Sequence, residues 1–161
     1  MVTVKVRVNI TKAERKLLSL ESRFKNLEKL ALGPIRALVT RTVQKHWASR
    51  GAAFGKPWKP LAASTIERKR RMGTLGLGPL KSTKALFLSL INPRTGTRLR
   101  RIANGVMLDV FSNDPKAAWH HKGVPGRLPK RQVFPSPPPP QFVTELRSIV
   151  RTFIATGRVP A

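Results

Sequence analysis

An α+β fold is what this sequence predicts: an N-terminal strand and a central hairpin in a small antiparallel sheet, packed with several helices, long loops and a C-terminal helix. Three observations carry that expectation. Val2, Val4, Val6, Val8 and Ile10 alternate with Thr3, Lys5, Arg7 and Asn9, the period-two signature of a half-buried strand. Residues 97–112, TRLRRIANGVMLDVFS, place Asn104-Gly105 between two β-prone runs, the pattern of a hairpin with a two-residue turn. Elsewhere apolar residues recur at three- and four-residue steps, as amphipathic helices require.

In chain order, Thr11 and Glu14 form a T-x-x-E capping box, opening a helix whose stripe is Leu17, Leu20, Phe24, Leu27 and Ala31. Gly33-Pro34 ends it, and proline at a first helical position suits a second helix. That helix carries Ile35, Leu38, Val39, Thr42, Val43 and His46 on one stripe, with Arg36 and Arg41 away from it. The stretch RGAAFGKPWKPLA, cut by glycine and proline, is a loop anchored where Phe54 and Trp58 dock on the core. Ser64 and Glu67 form another capping box, starting the basic helix TIERKRRM, which Gly73 closes. After the glycine-rich TLGLGPLKS, the run TKALFLSLI reads as a short buried helix, with a strand left open by periodicity alone.

For the hairpin, a turn at Asn104-Gly105 sets Ala103 opposite Val106 and Arg100 opposite Asp109 as a cross-strand ion pair. Leu99, Ala103, Val106, Leu108 and Val110 then share one face, on which Arg101 is the odd member. The run PSPPPP makes residues 135–140 a stiff spacer. It leads into a C-terminal helix, residues 141–156, striped by Phe142, Leu146, Ile149, Val150 and Phe153 and stopped by Gly157. At 161 residues the whole, 1–161, fits a single domain.

Charge sets the functional problem. Lysine and arginine number 32 against 7 acids, a formal net charge of +25, so an anionic partner is expected: nucleic acid, an anionic surface or an acidic protein assembly. The absence of cysteine excludes disulfides and thiolate metal sites. No signal peptide is read at the N-terminus, and the longest apolar stretch is far short of the ~20 residues of a membrane helix.

Catalysis is not expected. Glu14, Glu21 and Glu28 recur at seven-residue spacing, but two helical turns separate neighbours by ~10.5 Å, too far for one metal. They read as a stripe making local ion pairs. His120 and His121 are adjacent, so their side chains diverge, and neither Asp109 nor Asp114 stands at a metal-motif spacing. No cofactor is called for, since the glycine-rich segments match neither a P-loop nor a dinucleotide fingerprint. Arg68, Lys69, Arg70 and Arg71, with Arg98, Arg100 and Arg101 as a second cluster, are instead placed to contact an anionic partner or DNA through its phosphates, without a motif for sequence-specific readout.

The order of loops adds a further reading. FGKPWKPLAASTIERKRRMG, then GPLKSTKALFLSL, then HHKGVPGRLPKRQVF resembles the phage virion morphogenesis family over roughly residues 50 to 135. Its members act in tail completion and head-to-tail joining. The matching positions are Phe54, Gly55, Pro57, Trp58, Pro60 and Leu61, then Thr65, Arg68 and Lys69, then Pro79, Leu80, Thr83 and Leu86, then His120, Gly123, Pro125, Arg127 and Phe134. The chain departs from the family pattern at Lys84, where a glycine is usual, at Lys122, where a more apolar residue is usual, and at an LPK insertion before Arg131. Either Arg127 or Arg131 fits the family's arginine.

The resemblance implies a small structural protein of a tailed-phage virion, assembled in the host cytoplasm into a neck or tail-end ring, most commonly a homo-hexamer. Its partners would be other neck, connector or tail-tube proteins, with nonspecific DNA contact in the channel and no membrane. The surface for neighbouring subunits or partners is then Phe54, Trp58, Trp119, His120, His121, Gly123, Pro125, Arg127, Arg131 and Phe134. A free, sequence-nonspecific nucleic-acid-binding protein is the alternative that the charge suggests.

Overall fold

The computed structural model describes residues 2–7, 21–80, 84–92, 94–103 and 105–160. It is an α+β fold. Strands β1 (Val2–Arg7), β2 (Thr97–Ile102) and β3 (Gly105–Ser112) form an antiparallel sheet in the order β1-β3-β2. The strand richest in apolar residues is central: every residue of β3 is buried. β2, TRLRRI, lies at an edge and alternates half-buried with exposed residues over most of its length, and its charges discourage further strand pairing. Residues 8–20, which include the Thr11–Glu14 capping box, Glu14, Leu17 and Leu20, lie outside the described residues.

The expected break at Gly33-Pro34 does not occur. Helix α1 (Glu21–Leu30) runs through a single π turn, Ala31–Ile35, into α2 (Arg36–Ala48). The Arg36 N–H donates to the Ala31 carbonyl, five residues back. Pro34 has no N–H to offer and its ring crowds the preceding turn, so a wider turn absorbs it without ending the helix. Leu27, Leu30, Ala31, Ile35, Leu38, Val39 and Val43 are buried along this continuous rod. Arg36, expected off the stripe, is only 4% exposed. Its Nη2 donates to the Leu90 carbonyl at 3.1 Å, its Nε to Thr97 Oγ1 at 2.7 Å, and its Nη1 to Thr40 Oγ1. A charged fork thus joins α2 to an unsatisfied C-terminal carbonyl of α4 (Ala85–Ile91) and to β2.

The core lies on one face of β3. Val106, Leu108 and Val110 meet the α1–α2 rod, Leu86 and Leu90 of α4, Val133, Phe134, and Phe142 and Phe153 of α6 (Pro140–Thr156). Full burial of one such leucine, Leu90 at 0% exposure, is worth about 1.5–3 kcal/mol. The last proline of the run, Pro140, is the first residue of α6, where a missing N–H costs nothing. Gly157 stops that helix, its N–H donating to the Phe153 carbonyl at 2.8 Å.

The hairpin register is shifted by two residues from expectation. Ile102 faces Gly105, Arg101 faces Val106, Arg100 faces Met107 and Arg98 faces Asp109. Ala103 therefore lies beyond the last paired residue of β2 and is not on the shared face. A two-residue slip leaves the remaining side chains on their own faces, so Leu99, Val106, Leu108 and Val110 stay together. Arg100 still reaches Asp109 diagonally, Nη2 to Oδ2 at 2.6 Å. Arg101, the odd member, donates to Glu28 of α1 at 2.7 Å.

The basic helix α3 (Ala63–Arg71) begins one residue before Ser64, with Ala62 as its N-cap and no side-chain cap. Glu67 instead receives Arg70 at 2.5 Å, one turn along. Gly73 closes it in the left-handed region, φ +63°.

Candidate functional site

The tryptophan loop and the histidine loop are far apart in sequence and fold onto each other as a clasp. Three donors and acceptors of the α2 end and its loop converge on residues 132–133. Trp58 Nε1 donates to the Gln132 carbonyl at 3.0 Å, His46 Nε2 donates to the same oxygen at 2.7 Å, and Trp47 Nε1 donates to the Val133 carbonyl at 3.0 Å. Because a carbonyl only accepts, Nε2 of His46 carries the proton, which leaves its buried Nδ1 as an acceptor with no partner among the described residues. From the other side the Val133 N–H donates to His121 Nδ1 at 3.3 Å. The rings pack closely: Trp58 stands edge-on to Trp47 and to His46, at centroid distances of 5.3 and 5.5 Å, and Phe54 stacks on His46 at 5.8 Å.

Arg131 completes the clasp. It is 4% exposed, and its Nε and Nη2 donate to the carbonyls of Lys59 and Pro60 at 3.1 and 2.9 Å. Its backbone N–H donates to the His120 carbonyl at 2.7 Å. Arg127 is exposed instead. The structure therefore separates the two arginines: Arg131 is tied to the Pro-Trp-Lys-Pro-Leu segment and Arg127 is exposed.

Local chain chemistry makes this arrangement. Gly51, three residues beyond the end of α2, sits at φ +85°, and a Cβ there would stand 2.1 Å from the Lys56 carbonyl oxygen, so only glycine lets the loop turn back under Trp58. Helix α5 (Lys116–Lys122) ends at Gly123, φ +77°, where a Cβ would meet the Lys130 nitrogen at 2.9 Å. Beyond it Val124 and Leu128 pair across a tight turn with Pro125 and Gly126 at its centre, and the Arg127 N–H donates to the Val124 carbonyl at 3.1 Å. The turn carries Arg127 and is flanked by Lys122 and Lys130, all three exposed. Trp119, on α5, is 57% exposed.

Of the residues expected at a partner surface, Trp58, Arg131 and Phe134 are thus buried in the chain's own clasp and core. Phe54 and His121 are half-buried there. Trp119, Pro125 and Arg127 are exposed, and His120 and Gly123 are intermediate.

A groove of about 800 Å³ opens beside the clasp, between the Lys59–Ala62 segment, α3, α5 and the Arg127–Arg131 loop. Arg68 and Lys69 line it, together with Lys59, Lys116, Arg127 and Arg131. Lys69 is buried, burial and the neighbouring Arg68 lowering its pKa. Arg70 is turned to Glu67 and Arg71 is exposed outside the groove. The second arginine cluster is elsewhere. Arg98 and Arg100 lie on the sheet face opposite the core, Arg98 at 5.5 Å from the Phe111 ring centroid and Arg100 on Asp109, whereas Arg101 turns to α1. The two clusters do not form one patch in the groove.

Sequence reasoning missed Lys59, Lys116 and the Gln132 carbonyl. None belongs to a motif of its own, and the carbonyl has no side-chain signature. His46 was legible as a helix-face residue, but not as a hydrogen-bond donor to residue 132. Among the described residues no group of three His, Cys, Asp or Glu side chains comes together, and no helix is long and apolar enough to cross a membrane. The arrangement offers cations, a shaped groove and an exposed tryptophan. Compared with protein-family models, curated proteins and solved structures, the chain matches none.

Proposed function

We propose that this chain is a structural virion protein of a tailed bacteriophage, acting in tail completion or head-to-tail joining as a subunit of a neck or tail-end ring. One observation carries the reading beyond the order of loops. The segments that resemble the virion morphogenesis family are drawn into one unit: Trp58 bonds to residue 132, Arg131 bonds to Lys59 and Pro60, and Pro79, Leu80 and Leu86 line the same groove as Thr65 and Arg68. That segments more than 70 residues apart in the chain form one unit supports reading them together.

A homo-hexamer would gather a formal charge of roughly +150. Acidic neighbouring proteins or DNA in the channel would have to balance it. Arg68 and Arg71 on α3, and Arg98 and Arg100 on the sheet, are exposed and suited to phosphate contact.

Removing the protein from assembling particles tests the reading. Electron micrographs should show unjoined heads and tails, or tails with abnormal ends. Normal infectious particles would refute it. The charge favours one rival, a nonspecific nucleic-acid-binding protein. That rival would bind DNA as a monomer with a steep dependence on salt, and would not require a particle.

A further inference from the structure

We infer that the groove beside the clasp is a docking site for a short acidic peptide segment, aliphatic at alternate positions, supplied by a different protein. Its volume, about 800 Å³, is that of pockets that enclose a drug-sized ligand, enough for a few residues of extended chain. Lys59, Arg68, Lys116 and Arg127 ring it with exposed cations, while Lys69 and Arg131 are nearly buried among its walls. Between the charges the lining is aliphatic, from Leu61, Met72, Leu80, Leu86 and Leu128. Asp114 is the single acid in the lining, and its Oδ1 already accepts the Lys116 backbone N–H at 2.9 Å. His120 Nδ1 is buried, with no hydrogen-bond partner among the described residues.

The occupant follows from what the lining lacks. Single-stranded nucleic acid is held by aromatic side chains on which bases stack, and among the described residues no Phe, Trp or Tyr lines the groove. Duplex phosphates offer nothing to the aliphatic walls that lie between the cations. Carboxylates with aliphatic neighbours satisfy both kinds of wall. A second copy of this chain has little to offer. Of the five acids whose side chains are described, Glu28, Glu67, Asp109 and Glu145 are each in an ion pair, and Asp114 lies in the groove itself. The net charge of +25 also repels another copy. The acid therefore comes from another protein, in a virion or in any other assembly.

Fluorescence anisotropy on the purified full chain at physiological salt tests this with a fluorescein-labelled hexapeptide of alternating glutamate and leucine. Binding is expected, and replacing its glutamates by glutamine should abolish it. The double variant Arg68→Gln/Arg127→Gln should weaken it by about tenfold. Arg147→Gln/Arg151→Gln, which removes the same charge from exposed positions on α6, should change it less than twofold. Leu61→Asp, a half-buried wall residue, should also weaken it, with an unchanged melting temperature showing that the variant folds. Failure of the hexapeptide to bind overturns the inference. So does equal weakening by both double variants, equal binding of hexaglutamate, or displacement of the peptide by an equimolar twelve-nucleotide single strand or duplex.

Discussion

Acid should open the clasp. His46 donates from Nε2 to the Gln132 carbonyl while its buried Nδ1 has no partner, and His121 accepts the Val133 N–H on Nδ1. Both contacts use the neutral ring, and a second proton on either ring would be buried without an acceptor or pointed at another N–H. Burial accordingly lowers the pKa of His46, with the Gln132 carbonyl acting in the opposite sense, and burial, Lys130, His46 and Lys122 lower that of His121. His120 is lowered as well, by burial first and by Arg131 next, with Lys116 adding and Asp114 opposing. Above the ordinary imidazole value of about 6.5 neither folded nor unfolded chain is charged at these sites, and the stability is fully present. Below it the unfolded chain takes up protons that the folded chain refuses, so stability falls as pH falls. Each withheld proton costs about 1.4 kcal/mol per pH unit, which for three histidines sets an upper limit of about 4 kcal/mol at pH 5.5. That is a large share of the roughly 5–15 kcal/mol typical of a domain. Urea unfolding followed by tryptophan fluorescence at pH 7.5 and 5.5 measures it, with Trp47 and Trp58 reporting from inside the clasp. His46→Phe, which keeps a ring against Phe54, should remove about a third of the difference. Equal stability at the two pH values, or an undiminished difference in both His46→Phe and His121→Phe, would refute the reasoning.

Other outcomes follow from single positions. Lys84 sits at φ +60° just before α4, a conformation costing a side-chain-bearing residue about 1–2 kcal/mol. Lys84→Gly should therefore raise stability by up to about 1 kcal/mol in chemical denaturation. Arg131→Ala strands two carbonyls that now receive a guanidinium and should cost about 2–3 kcal/mol, while Arg127→Ala, at an exposed position, should stay within about 0.5 kcal/mol. Gly51→Ala forces a Cβ against the Lys56 carbonyl at a positive φ, and its melting temperature should fall by several degrees. Replacing Arg68 through Arg71 by glutamine should impair head-to-tail joining or DNA retention if α3 meets an anionic neighbour, and no change in either would count against that role.

The hairpin illustrates how far local pattern reaches. Alternation identified the core-facing residues of β3, Val106, Leu108 and Val110, correctly, because successive side chains of a strand point to opposite faces. The Asn-Gly pair misplaced the turn. Gly105 pairs with Ile102 as the first residue of β3, at φ +140°, so the glycine is used at the strand end and not inside the turn. The same holds for Gly33-Pro34. Its helix-breaking chemistry is real, yet the apolar stripe running from Leu27 to Val43 is worth more buried as one rod, and a π turn accommodates the proline. Lys84 is the opposite case, a lysine held at φ +60° in a backbone conformation that favours glycine.

From the opening strand to the final helix, the sequence alone determined the α+β class, the apolar faces, the basic helix and the net charge of +25. Each of these depends on residue type and short-range spacing. Only the tertiary structure decided which cations and rings turn inward. Arg36, Arg131, His46 and Trp58 are buried because backbone carbonyls at Leu90, Lys59, Pro60 and Gln132 stand ready to receive their N–H groups. Those carbonyls lie 54 to 86 residues away along the chain. A hydrogen bond between a side chain and a distant main-chain oxygen leaves no periodic trace in the sequence, and it is what separates the buried Arg131 from the exposed Arg127.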